Sequence, residues 1–329
     1  MGKDQVISMK IDSIPNELQF AIDLMAGCAT ITRNVQQQHI TKQDKVDRSP
    51  VTIADYAVQA YVAQAIGKKF PNDKLVGEEN SDLLGQDLNL LAAVTQQIQN
   101  LLSNADAEQV CEWIDRGQGQ PQGRYWVLDP VDGTKGFLRR MQYATALALI
   151  EDGEVILGVV GCPELEFDGQ TGVIAYAYRG QGAWWKSYDP KSEAKPLHVS
   201  TIDSLEKVRL LRSFEDSHTD SSRIQDFVSK GGIKADPVRM DSQAKYVLLA
   251  AGKAELMMRL VSPEKAGYHE YIWDHAPGYR VLLEAGGKIT DSDGKALDFT
   301  TGRRLTDNRG IFVSNGLIHD EALKTLHQT

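Results

Sequence analysis

The 329-residue sequence predicts a folded α+β protein, with an antiparallel sheet in its first half and a mixed α/β second half. Two observations carry this. Short apolar runs at 144–150, 155–160, 172–176 and 182–185 are separated by turn signals such as Glu151-Asp152-Gly153 and Arg179-Gly180, the mark of an antiparallel meander. Beyond residue 208 the runs alternate instead with amphipathic helical stretches. A hydrophobic content of 42% with 25% charged residues is ordinary for a globular chain and excludes a disordered or fibrous one. The composition turns polar around 191–196, which divides the chain into domains 1–195 and 196–329.

Taken in order, apolar positions at Leu18, Ile22, Met25 and Ala29 recur with a helical period and predict a helix over 16–35 with Asn16 as its N-cap. Ser49-Pro50-Val51-Thr52 leads into a second helix that fades near Gly67; Thr52 as its cap puts Asp55 in the first turn. The helix dipole favours an anion there in any protein, so Asp55 by itself carries no message. A short strand at 74–77 ends in Glu78-Glu79, which taken alone reads as a solvated turn. Residues 83–102 form a Gln-rich amphipathic helix and 117–123 a surface loop.

An apolar strand from Trp126 then runs into Asp129-Pro130-Val131-Asp132-Gly133-Thr134-Lys135-Gly136. The strand gives rigidity, Pro130 stiffens its exit, and the carboxylates are hard oxygen ligands of the kind Mg²⁺ prefers. Gly133 lets backbone N–H groups approach an anion at the start of the following helix. After the meander come a strand at 208–213, helices at 220–230 and 242–251, and a strand at 254–260. A helix starting near Asp274 and capped by Gly286-Gly287 leads to a strand at 288–290. Asp274 in that position also reads as a simple cap.

The formal charge of -9 argues against a nucleic-acid polymer as partner and suits small anions held through metal. No apolar run approaches the roughly 18 residues needed to span a bilayer, and the N-terminus lacks the features of a secretory or organellar leader. Cys28, Cys111 and Cys162 are odd in number and far apart, so no disulfide framework is expected and a cytoplasmic location is.

Five carboxylates thus sit at element ends: Asp55, Glu78, Asp129, Asp132 and Asp274. Each has an ordinary explanation. Gathered into one pocket they would be stable only around cations, and two-metal phosphoryl hydrolysis uses such a cluster, with ions about 4 Å apart.

Glu78-Glu79, Asp129-Pro130-Val131-Asp132-Gly133-Thr134, and Trp273-Asp274-His275-Ala276 with Glu284-Ala285-Gly286-Gly287 resemble the three signatures of the Mg²⁺-dependent, lithium-sensitive phosphatases related to inositol monophosphatase. The resemblance runs along nearly the whole chain and implies a layered α-β-α-β-α sugar-phosphatase fold. Within that group, Ser49-Pro50-Val51-Thr52, Lys135-Gly136-Phe137-Leu138-Arg139, Gly161-Cys162-Pro163 and the stretch Asp241 to Tyr246 resemble the 3′(2′),5′-bisphosphate nucleotidases; inositol monophosphatases usually carry Thr-Asn-Phe at positions 135–137. The resemblance implies two or three Mg²⁺ ions on Glu78, Asp129, Asp132, the Val131 carbonyl and Asp274. It implies Asp55 as base acting through Thr134 on a metal-activated water, with Gly133 and Thr134 amides on the scissile phosphate. It further implies His218, Ser242, Lys245 and Arg259 on the nucleotide. The substrate would be adenosine 3′,5′-bisphosphate, with 3′-phosphoadenylyl sulfate as a second; an inositol phosphate, or an inactive metal-binding homologue, is the alternative. Arg140 departs from the pattern, since these nucleotidases commonly carry Gly there.

Overall fold

The computed structural model describes residues 14–41, 50–214, 220–265 and 267–329. Helices α1 (Asn16–Thr41) and α2 (Pro50–Lys69) precede strand β1 (Lys74–Gly77), followed by α3 (Leu88–Gln99) and α4 (Ala107–Asp115). Strand β2 (Arg124–Asp132) leads into the single turn α5 (Thr134–Leu138), then the meander β3 (Ala144–Glu151), β4 (Glu154–Phe167), β5 (Gln170–Tyr178), β6 (Ala183–Ser187) and β7 (Lys195–Leu197). These seven strands form one sheet in sequential order, antiparallel except that β1 runs parallel to β2.

The second half contributes β8 (Leu210–Arg212), α6 (Ser221–Lys230), β9 (Val238–Arg239), α7 (Ala244–Ala250), β10 (Leu256–Arg259), α8 (Ala276–Glu284), β11 (Lys288–Thr290), β12 (Ile311–Ser314) and α9 (His319–Leu326). Its five-stranded sheet has the order β11-β12-β10-β8-β9 and mixed direction.

Side-chain alternation explains the layering. In β2, Trp126 and Leu128 pack with Met25, Tyr56 and Val62 of α1 and α2, while Tyr125 and Val127 point the other way and join a core with Tyr246, Val281 and Leu282 of α7 and α8. That second core continues into Leu211, Met257 and Val313 of the second sheet, whose opposite face packs on Ile224 and Phe227 of α6 and Ala322 and Leu326 of α9. The result is five layers, α-β-α-β-α. Strands buried on both faces read as unbroken apolar runs, which is why they were visible in the sequence.

Several boundaries differ from the sequence reading. The Pro15 carbonyl accepts from the Gln19 N–H, so Asn16 is already inside α1 and is not its cap. Helix α2 begins at Pro50, where a fixed φ suits a first turn; Asp55 therefore sits in the second turn, and Gly67 lies within the helix. The stretch 83–102 is a short 3-10 turn at Leu84–Gln86 followed by α3, broken because Asp87 leaves the helix to cap α3 through the Asn89 and Leu90 amides. Strand β7 lies on the polar stretch around 191–196, as an edge strand whose Pro196 costs no ladder bond. Among the described residues, no helix is long and apolar enough to cross a membrane.

Candidate active site

A bulge carries the first two carboxylates out of the sheet. The β2–β3 register shifts between Asp129 and Asp132, where Pro130 has no N–H for the ladder and its carbonyl accepts instead from the Thr145 hydroxyl at 2.8 Å. Gly133 follows at φ +90°, a conformation that strains any other residue, and a Cβ there would lie 2.9 Å from that of Ser242. Gly136 is equally constrained, since a Cβ would meet the Gln142 carbonyl oxygen at 2.0 Å. Gly133 thus lets the loop lie against Ser242 in the second half of the chain, and Gly136 lets α5 lie against the segment entering β3.

The loop borders a cavity of about 470 Å³. Glu78, Asp129, Asp132 and Asp274 line it together with Val131, Gly133 and Thr134, and so do Ser242, Lys245 and Arg259. Glu78 presents its carboxylate to the open cavity, Asp132 and Asp274 are half-buried, and Asp129 is buried. Desolvation, then the charge of Asp274, pushes Glu78 up to about 8; desolvation opposed by Arg259 and His275 still leaves Asp274 at about 6. Asp129 is raised well above the usual carboxylate range by burial and then by Asp132 and Glu78. Asp132 is raised by burial, against the pull of Lys245 and of the Gln243 N–H, which donates to its Oδ2 at 2.5 Å.

One further observation bears on metal. Asp129 Oδ1 is buried and has no hydrogen-bond partner among the described residues, a costly state for a carboxylate oxygen unless something outside the chain binds it. An orphaned carboxylate oxygen beside three more carboxylates in one cavity fits divalent cations with hard oxygen ligands.

Asp55 lies apart from the cavity wall, buried in α2, and its pKa is raised well above normal by burial, then by the charges of Glu79 and Glu78. Thr134 is exposed at the start of α5, and among the described residues no hydrogen bond joins it to Asp55. The Glu78 segment is anchored from below by buried Gln59, which donates to the Glu79 carbonyl at 2.7 Å and accepts from the Glu79 N–H at 3.0 Å.

In the second half of the chain, Ser242 adopts φ +63° and its hydroxyl accepts from the Ala244 N–H at 3.2 Å. Lys245 donates to the Ser213 hydroxyl at 2.9 Å, and burial followed by the charge of Arg259 lowers its pKa. Arg259 pairs with Glu270 at 2.8 Å; Glu270 in turn lies 3.4 Å from His275 Nε2, whose Nδ1 is 2.8 Å from the Tyr246 hydroxyl. Glu270, Asp274 and His275 bring ligand-type atoms within 4.8 Å of one another, but Glu270 and His275 are engaged with Arg259 and Tyr246, so the cluster reads as scaffolding beside Asp274. His218 lies outside the described residues.

Sequence reasoning assigned no role to Gln243, Glu270, His275 or Tyr246. Gln243, Tyr246 and His275 fall inside the stretches that carried the resemblance. Glu270 had no signal.

A model of the inositol monophosphatase family matches residues 15–329. The chain is similar to a 3′(2′),5′-bisphosphate nucleotidase of Schizosaccharomyces pombe, 35% identical over 337 residues that cover 95% of each chain. It is also similar to a probable 3′(2′),5′-bisphosphate nucleotidase 4 of Arabidopsis thaliana, 36% identical and covering 95% of this chain and 94% of that one. Among solved structures, an IMPase of Thermotoga maritima superposes with a TM-score of 0.63 at 21% identity, covering 95% of this chain and 98% of that one, a likeness of fold.

Proposed function

The chain belongs to the inositol monophosphatase family, and we infer that it is a metal-dependent 3′(2′),5′-bisphosphate nucleotidase that hydrolyses the 3′-phosphate of adenosine 3′,5′-bisphosphate to AMP and phosphate. The observation that carries this reading is that one cavity is lined both by four carboxylates, Glu78, Asp129, Asp132 and Asp274, and by two cations, Lys245 and Arg259. A substrate with one phosphate needs only the first. A bisphosphate uses both sets, with the cations taking the phosphate that is not cleaved.

Glu78, Asp129, Asp132, Asp274 and the Val131 carbonyl would hold the ions, with Mg²⁺ the hard cation that such oxygens suit. When bound, the ions neutralise phosphate charge and make water a better nucleophile. The chain's own groups do the rest. Gly133, in a left-handed conformation at the N-cap of α5, would let the amides opening that helix donate to the scissile phosphate. Asp55 is the base in this reading, with Thr134 as the hydroxyl between it and the attacking water; burial raises its affinity for a proton, as a base at neutral pH requires. Ser242 and Lys245 hold the second phosphate, and Arg259 is kept in place by Glu270. A cytoplasmic site of action, in keeping with three free cysteines, and a division into units 1–195 and 196–329 belong to the same reading.

Phosphate release measured with Mg²⁺ on adenosine 3′,5′-bisphosphate, 3′-phosphoadenylyl sulfate and inositol 1-phosphate tests it. Faster turnover of the bisphosphate nucleotide is expected; faster turnover of inositol 1-phosphate would overturn the assignment.

A further inference from the structure

Arg303 lies between β11 and β12, outside the cavity, yet it touches both chain segments that carry the distant acidic ligands. Its guanidinium donates to the Gly77 carbonyl and, at 3.3 Å, to the Gly117 carbonyl. Gly77 ends β1 and immediately precedes Glu78. The same guanidinium lies over the Trp273 ring, 4.9 Å from its centroid, and Trp273 immediately precedes Asp274. The main chain is also tied there, since the Arg303 carbonyl accepts from the Ile272 N–H at 3.1 Å. Trp273 in turn stacks on Tyr271 with centroids 4.3 Å apart and rings 14° from parallel, and Arg304 covers Tyr271 at 3.6 Å.

We propose that Arg303 is a positioning residue of the metal site, a single guanidinium that sets the spacing between Glu78 and Asp274. The inference rests on the metal-site reading above. Glu78 follows a strand of the first sheet and Asp274 precedes a helix of the middle layer, so the backbone between them runs through most of the molecule. When both are ionised, their like charges push them apart unless a cation lies between them. A guanidinium suits the task because its edge donates hydrogen bonds in a fixed plane while its face stacks on an indole; an ammonium cannot do both. Among the described residues Arg303 forms no ion pair, so its charge is not spent on a carboxylate and its contacts are two carbonyls and a ring.

The test is Mn²⁺ titration followed by electron paramagnetic resonance, without substrate, on the purified full-length parent and on Arg303→Ala and Arg303→Lys, with melting curves in EDTA alongside. Loss of an outer partner of metal ligands typically weakens binding by about 10–100-fold, so Arg303→Ala should weaken Mn²⁺ binding at least about tenfold. Arg303→Lys, which keeps a donor but loses the stack, should fall between parent and Ala, and it carries the test alone if Arg303→Ala does not fold. In activity assays the Mg²⁺ concentration for half-maximal rate should rise more than the KM for substrate. Leu326→Ala, in the core far from the site, controls for lowered stability and should bind Mn²⁺ like the parent. If the parent binds Mn²⁺ and the Arg303 variants bind within twofold of it, or if Leu326→Ala weakens binding as much, the proposal is wrong. A parent that binds no Mn²⁺ would overturn the metal site itself, and the Arg303 inference with it.

Discussion

Gln243 is 2% exposed and tied to the proposed metal-ligand segments through both its main chain and its side chain. Its N–H donates to Asp132, its side-chain amide donates to the Trp273 carbonyl at 2.9 Å, and its Oε1 accepts from the Gly278 N–H at 3.1 Å. Gln243→Ala leaves the main-chain contact and removes the other two, stranding a buried carbonyl and a buried N–H. Each such loss costs about 1–3 kcal/mol, so a total destabilisation of about 2–6 kcal/mol is expected, a large share of the roughly 5–15 kcal/mol that holds a typical domain folded. Because Trp273 adjoins Asp274, the Mg²⁺ concentration for half-maximal phosphate release should rise as well. Urea unfolding in EDTA gives the first quantity and a Mg²⁺ activation curve the second. Gln243→Leu fills the space without restoring the hydrogen bonds, and it should be nearly as damaging as Ala. A loss below about 1 kcal/mol together with an activation curve unchanged within twofold would show that the Gln243 amide does not organise the site.

The carboxylates predict a pH dependence of the metal-free protein. Glu78 and Asp274 are raised to about 8 and about 6 in the folded state, so between roughly pH 4 and 8 the folded protein holds more protons than the unfolded one, and stability falls as pH rises through that window. Because Glu78 opens to solvent in the cavity, the effect is discounted to about 1–2 kcal/mol. Calorimetry in EDTA should show the melting temperature falling from pH 5 to 8.5, with saturating Mg²⁺ removing the slope; a flat profile in EDTA would contradict the crowding. Asp129→Asn should raise the metal-free melting temperature at pH 8 while cutting phosphate release by about a hundredfold or more, the several kcal/mol that metal-borne charge supplies. Arg140 sits at φ +54°, a strained conformation for a non-glycine residue, and allowing for the flexibility of glycine, Arg140→Gly should stabilise by about 0.5–1 kcal/mol in urea unfolding. A loss of stability would mean that the Arg140 side chain is itself bonded.

What was legible in the sequence follows from how local each signal is. The strand into Asp129 and Asp132, its glycines and the helix after Asp274 are fixed by residues within a few positions of one another. Helix α4 was also legible in principle: Asp106 and Gln109 form a reciprocal capping box that went unread. The edge strand β7, at three residues, is too short to show a period. β12 is an edge of nothing; it lies between β11 and β10, and its pairing is a property of the whole second sheet.

Side chains divide in the same way. Metal binding demands carboxylates, so the proposed ligand positions are nominated by residue type, and the resemblance sets them apart from ordinary caps. A positioning group has no such signature of residue type, even where, as with Gln243, it lies inside a stretch that carries the resemblance. Glu264 and Glu270 lie six positions apart in the same stretch, yet only the fold buries Glu270 against Arg259 and His275 and leaves Glu264 exposed. Arg303 and Arg304 are adjacent and alike in chemistry, and only the first reaches across 226 positions to the Gly77 carbonyl. Chemistry nominates the groups that touch metal and phosphate, whereas the groups that hold those in register are selected by three-dimensional contact alone, which is why variants at Gln243 and Arg303 test the structure more sharply than variants at the ligands themselves.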